Sequence, residues 1–308
     1  MNELCLFQVT TLASEQDDKT QSSYGRASTM WPRTIELLDQ LDLAEPLIQA
    51  GMITRSGLHF HDLHLRQRLT EEIFADAASK EIGSTHMMLH RMQGFTIDQN
   101  EDSHPVTVQI KDLNTEEGGK STVRKLANIS FEGEHTQGRW IRMDARVTTD
   151  MPNPRCLNSI DSASHGQILW CPIDNGLTRI GYVFSGSLIE KYGGVEGVTQ
   201  EVAMVEAKQA LHPFKLEFLS VNPFTEAGSQ GIGQRIAGTF CANDRVFLAG
   251  DAGHTHSSGS AQGLNTGIHD AVNLAWKLAL RVRGLAKKAL LDSYDAERRQ
   301  VVQTVRSI

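Results

Sequence analysis

The stretch with most chemical potential runs from Asp244 to Gly267. It opens on a continuous apolar run, Arg245-Val246-Phe247-Leu248-Ala249, then passes through Gly250 and Asp251. Such a run suits a strand buried on both faces, as in a parallel α/β sheet. Asp251 would then stand at the carboxyl end of that strand, where these sheets place ligands. Gly250 lets a ligand approach the backbone. Further on, Gln262, Gly263, Leu264 and Asn265 open a helix. Its unbonded N–H groups and positive dipole end favour an anionic or electron-rich group. A carboxylate for sugar hydroxyls beside a helix amino end describes a site for a nucleotide-like cofactor.

Other residue groups point to less. His254 and His256 have a spacing zinc can use, but apart from Asp251 no Cys, Asp or Glu completes a set nearby, so no metal is expected. His59, His61 and His64 are read as a solvated strand or loop. The basic cluster from Arg281 to Lys288 is short and reads as a solvated helix end. A net charge of −7 disfavours nucleic acid, which needs a basic face. Cys5, Cys156, Cys171 and Cys241 lie far apart without a CxxC, which implies free thiols in a reducing compartment; a cytoplasmic location is expected. No stretch approaches the length of a membrane span, and Met1-Asn2-Glu3-Leu4 does not begin a secretory signal.

The elements that must position the site follow from periodicity. With 40 % apolar and 22 % charged residues, the 308-residue chain can bury a sizeable core. Cys5 to Val9 reads as a short strand and Ser14 to Ser23 as a polar loop. Pro32 suits the first turn of a helix reaching about Leu43; a second helix spans Glu45 to Ala50 and stops at Gly51. Val106, Val108 and Ile110 alternate with polar residues, as in a strand. Gln167 to Ile173 and Arg179 to Phe184 read as paired strands joined by the turn Asp174-Asn175-Gly176. Val195 to His212 is a predicted helix. After Gln262 comes a long helix on which Leu264, Ile268, Ala271, Val272, Ala275, Leu278 and Val282 form one apolar stripe, predicted to be core. An amphipathic helix from Asp292 to Val305 follows.

Residues 245–279, including Asp270-Ala271-Val272-Asn273-Leu274-Ala275-Trp276-Lys277-Leu278, resemble the second flavin-binding motif of the FAD-dependent aromatic monooxygenases of the phenol hydroxylase and para-hydroxybenzoate hydroxylase type. The resemblance implies that Asp251 holds the flavin ribityl chain. It implies that Gln262, Gly263, Leu264 and Asn265 give the helix-end contacts to the pyrophosphate and the pyrimidine edge. Three weaker resemblances lie in order. Gly25-Arg26-Ala27 with Pro32 to Leu38 is similar to a family segment whose arginine lies near the cofactor, here Arg26. Gly119 to Lys125 with Ile129 to Gly133 is similar to the end of the family's Asp-Gly motif, and Leu290 to Arg299 to the helix that ends the catalytic region.

The chain departs from the family pattern in places. Fewer residues precede Gly25 than the roughly 30 that the family's opening strand, GxGxxG turn, helix and strand need. Asp17 or Asp18 could stand for the acid that binds the adenosine ribose. Glu117-Gly118 stands for Asp-Gly, Asp251-Ala252-Gly253-His254 for Asp-Ala-Ala-His, and Ser258 for a proline. Leu89 to Gly94 is abrupt, as if a helix were omitted, and the chain stops at Ile308, before the thioredoxin-like domain of larger members.

The implied fold is α/β, α+β overall. An incomplete Rossmann-like FAD-binding domain (residues 1–52, 117–130 and 241–308) joins an antiparallel-sheet substrate domain (53–116 and 131–240). The implied function is hydroxylation of a phenolic or other aromatic ring with FAD, NADPH and O2, in secondary metabolism. The partners expected are a small aromatic substrate and a second copy of the chain, as a homodimer. No residue stands out as the catalytic base. Two alternatives remain: a catalytically inactive, shortened member with weak or no FAD binding, and a flavin-dependent epoxidase or Baeyer–Villiger-type oxygenase.

Overall fold

The computed structural model describes residues 27–56, 60–81, 90–98, 106–112, 121–222, 229–256 and 262–306. Cys5 to Val9, the polar stretch 14–23, Arg26, His59, Glu117-Gly118 and Ser258 lie outside them.

The first described elements are β1 (Thr29–Met30), α1 (Pro32–Asp39), α2 (Ala44–Ala50), β2 (Met52–Ser56), β3 (Phe60–His64) and α3 (Gln67–Ser79). Pro32 starts α1, its fixed φ and missing N–H suiting the first turn. The helix ends before Leu43. Asp42 takes φ 56°, which turns the Leu43 amide back to the Leu38 carbonyl at 2.9 Å. The strands form a three-stranded antiparallel sheet in the order β1-β3-β2.

β4 (His90–Ile97) and β5 (Val106–Asp112) pair with each other, as the alternation over 106–110 predicts, and the short α4 (Thr122–Leu126) follows. The large sheet is built on β6 (Phe131–Thr149), with β7 (Asn158–Ser162), β8 (Gly166–Pro172), β9 (Thr178–Phe184), β10 (Leu216–Val221), β11 (Ser229–Ala237) and β14 (His254–Thr255). Its order is β14-β11-β6-β9-β8-β7, with β10 also on β6. The predicted pair at 167–184 is β8–β9. Asn175 at φ 56° and Gly176 at φ 71° give the turn the left-handed pair that a tight hairpin requires.

One face of the sheet buries Ile141, Met143, Ile168, Trp170, Ile180 and Tyr182 under α6 (Gln200–Ala210), which contributes Ala203 and Ala207. The helix predicted over 195–212 is broken. Thr199 takes an extended N-cap conformation, its hydroxyl accepting from the Val202 amide, so a separate 3-10 turn covers Val195–Gly197. Between the turn and the sheet stands α5 (Gly186–Lys191).

The apolar run at 245–249 gives only a short strand, β13 (Val246–Phe247), paired antiparallel with β12 (Cys241–Ala242). Asn243 at φ 51° and Asp244 at φ 55° close a tight turn, and the Leu248 amide bonds the Phe240 carbonyl at 2.9 Å. The run therefore satisfies its backbone on its own neighbour. Among the described residues every strand pair is antiparallel, so the parallel neighbours expected for this run are not among them.

The chain then forms α7 (Gln262–Val282) and α8 (Lys288–Arg306), which pack on Ile236, Phe240 and Leu248. The predicted stripe on α7 is only partly core. Ile268 is buried, and Leu264, Val272 and Leu278 are partly so, but Ala271 and Ala275 are exposed and Val282 is 36 % exposed. The inward face instead carries Asn265, Thr266, Asp270, Leu274 and Lys277. These polar groups can be buried because each that matters has a partner. Lys277, for example, donates to Ser293 Oγ and Glu297 Oε2, both at 2.7 Å. Among the described residues no helix is long and apolar enough to cross a membrane.

Candidate cofactor site

Asp251 sits exposed in a 3-10 turn, Gly250–Ala252, directly after β13. Gly250 has φ 57°, and a Cβ built on it would lie 3.8 Å from Gly267 Cα, so the turn packs closely on the early turns of α7. Backbone and side-chain bonds fix it from several directions. The Gly250 amide donates to Asp270 Oδ2 at 3.0 Å. Arg124 Nη1 donates to the Ala252 carbonyl at 2.6 Å while its guanidinium stacks 3.8 Å above the Phe131 ring. The Ala237 amide donates to the Gly253 carbonyl at 2.7 Å.

Asp270 is the hub of this arrangement. Besides Gly250 it accepts from His254 Nε2 at 2.6 Å and from Arg298 Nε on α8 at 2.6 Å. Asp270 and His254 are both wholly buried, at 0 % exposure. Burial alone would raise the Asp270 carboxyl. The bonds from His254 and Arg298 outweigh it and hold the group below the usual carboxylate range. His254 and His256 have ring centres 4.9 Å apart, and the His254 Nε2 is committed to Asp270.

Gln262, Gly263 and Leu264 are partly exposed at the amino end of α7. Among the described residues, no side chain or neighbouring element comes within 4 Å of a Cβ built on Gly263. Asn265 differs from its neighbours. It is 3 % exposed, and its side chain faces β1: Nδ2 donates to the Thr29 carbonyl and Oδ1 accepts from the Trp31 amide, both at 2.9 Å.

That link brings the segment following Arg26 to the site. Ala27 is itself fixed. Its amide donates to Gln67 Oε1 at 3.1 Å, and its carbonyl accepts from Arg179 Nη1 at 3.2 Å and the Gln67 amide at 3.0 Å. Arg179 in turn donates two buried hydrogen bonds to the Asp144 carboxylate, at 2.7 and 2.8 Å, and Arg66 pairs with Asp174 at 2.6 Å. His64 corrects another expectation. It is wholly buried in β3, not solvated, 3.2 Å from Thr29 Oγ1 and 3.3 Å from Cys171 Sγ. Burial pushes its pKa down to about 4 and the Cys171 thiol up to about 11, so both are neutral. His61 is paired with Arg55 in the β2–β3 ladder.

The turn bearing Asp251 thus rests on Gly267 and Asp270 of α7, whose first turn carries Gln262, Gly263 and Leu264, and Asn265 ties that helix to the backbone of Thr29 and Trp31. The sequence reading missed Asp270, Arg124 and Arg298. A carboxylate at 270 and a lysine at 277 on the face that also carries Ile268 and Leu274 were the available sign. These residues fit an FAD: an exposed carboxylate on a turn that packs against a 21-residue helix, whose first turn is only partly covered.

Comparison with known proteins agrees. A family model described as FAD binding domain matches residues 8–307, and the chain belongs to this family, that of the FAD-dependent aromatic monooxygenases. Phenol 2-monooxygenase of Aspergillus fumigatus is 32 % identical over 217 residues, covering 66 % of this chain and 36 % of that protein. Rifampicin monooxygenase of Streptomyces venezuelae is 30 % identical over 328 residues, covering 98 % of this chain and 66 % of that protein. The structure of OxyS anhydrotetracycline hydroxylase from Streptomyces rimosus superposes with a TM-score of 0.68 at 26 % identity, covering 92 % of this chain and 60 % of that one. The chain therefore spans between 36 % and 66 % of the length of these relatives.

Proposed function

We propose that this chain carries the FAD site and substrate sheet of a monooxygenase that hydroxylates a phenolic or other small aromatic ring, with NADPH as reductant and O2 as oxygen source. The observation that carries the reading is the turn bearing the exposed Asp251, packed on Gly267 and Asp270 of α7. Asp251 would accept hydrogen bonds from the ribityl hydroxyls. The amides of Gln262, Gly263 and Leu264, with the positive end of the α7 dipole, would face the anionic part of the cofactor. FAD, when bound, supplies the redox chemistry with NADPH and O2. Arg26 would contact it, as the family resemblance implies. The substrate would lie between the cofactor and the strands around 106–110 and 167–184. In this reading residues 1–52, 117–130 and 241–308 form the FAD part, and 53–116 and 131–240 the substrate part.

The test is direct. Purified protein is expected to be yellow, or to take up added FAD, and then to oxidise NADPH faster when a phenol is present. A colourless chain that ignores FAD would reject the assignment.

A further inference from the structure

The last helix of the chain is more than packing for the cofactor turn. Arg298 on α8 donates through Nε to Asp270 Oδ1 at 2.6 Å and through Nη2 to the Thr266 carbonyl at 3.5 Å. Asp270 is wholly buried, and this guanidinium is its close charge partner. The other oxygen of that carboxylate is thereby left to accept twice, from the Gly250 amide at 3.0 Å and from His254 Nε2 at 2.6 Å. These two residues flank Asp251-Ala252-Gly253 on either side. A single carboxylate oxygen therefore pins both ends of the turn, and Gly250, at φ 57°, has no side chain of its own with which to resist movement.

We propose that Asp270, held by Arg298, is a positioning residue of the cofactor site: it sets the Gly250–His254 turn, and so the Asp251 carboxylate, against the start of α7. The proposal rests on the FAD reading above. It makes α8 part of the site without touching the ligand. An ionised acceptor suits the task because charge-assisted bonds are shorter and stronger than neutral ones. A neutral amide at 270 offers one accepting oxygen and a donor that faces the guanidinium.

The test uses the full chain with two readouts, FAD titration and amide hydrogen exchange across 248–256. Asp270→Asn and Arg298→Met are expected to speed exchange of the turn and to weaken FAD binding by about tenfold or more, as loss of an orienting partner does at other sites. Arg298→Lys should recover part of both. Lys277→Met is the control, since it breaks the other buried polar link between α7 and α8, to Ser293 and Glu297, away from the turn. It should lower the melting temperature yet leave turn exchange and FAD affinity near those of the parent. Unchanged exchange in Asp270→Asn overturns the proposal. So does parent-like FAD affinity in that variant, or equal losses in Lys277→Met. A parent chain that takes up no FAD instead overturns the underlying functional reading, and exchange alone then decides whether Asp270 holds the turn.

Discussion

Asn265 joins the amino end of α7 to β1 by satisfying two backbone groups at once, the Thr29 carbonyl and the Trp31 amide, each at 2.9 Å. Removing the side chain leaves a buried carbonyl and a part-buried amide without that partner, at a cost of about 2–4 kcal/mol. Asn265→Ala is expected to lower the denaturant midpoint accordingly. Asn265→Asp keeps the shape but sets a carboxylate oxygen against the Thr29 carbonyl, and should destabilise at least as much. A midpoint unchanged in both would show that the link is dispensable.

His64 makes stability depend on pH in a defined window. Its folded pKa is pushed down to about 4 by burial. In the unfolded chain it titrates near 6.5. As pH falls from about 6.5 to about 4, the unfolded chain takes up a proton that the folded one refuses, so stability falls by up to about 3 kcal/mol. His64→Asn is expected to flatten the stability curve over that interval, measured by urea melts at stepped pH. A parallel slope in the variant would contradict the assignment.

The buried pair Arg179–Asp144 holds the sheet to the chain entering β1, because the same guanidinium reaches the Ala27 carbonyl. Burial raises the Asp144 carboxyl, but the Arg179 charge and hydrogen bond more than offset it, and the net shift is downward. That contribution is present above the unfolded carboxylate value, about 4, and disappears as pH falls below it. Asp144→Ala leaves a buried guanidinium uncompensated and should cost about 3–5 kcal/mol, whereas Asp144→Leu with Arg179→Met should cost clearly less. Thermal melts of the two variants side by side decide it.

Asp251 and Gly250 separate binding from stability. Asp251 is exposed, so Asp251→Ala should leave folding within about 0.5 kcal/mol of the parent while FAD affinity drops. Among the described residues Gly250→Ala meets only Gly267 Cα, at 3.8 Å, and its cost should come from the left-handed backbone, about 1–2 kcal/mol. Calorimetry and FAD titration on the same samples check both.

What the sequence made legible was local. The β8–β9 hairpin was readable because Asn-Gly is the pair that tolerates two left-handed residues in succession. The turn at Asp251 and the helix from Gln262 were readable from a motif with ordered spacing. The polar face of α7 was not, because hydropathy ranks Asp270 and Lys277 as outward until their partners are known. Those partners stand 28 and 20 residues away, on α8. The run at 245–249 misled for a similar reason: apolar content says that a strand is buried, not what it pairs with. Two turn residues, Asn243 and Asp244, sent it back onto Cys241–Ala242.

The 19-residue β6 pairs with β11 along its first part, with β9 in its middle and with β10 at its end. A gene split anywhere inside it would give two fragments, neither able to complete a ladder, and co-expression should not restore the protein. A split at the Gly193–Gly194 turn, which belongs to no strand, leaves each hydrogen-bonded strand whole, and the two pieces should reassemble.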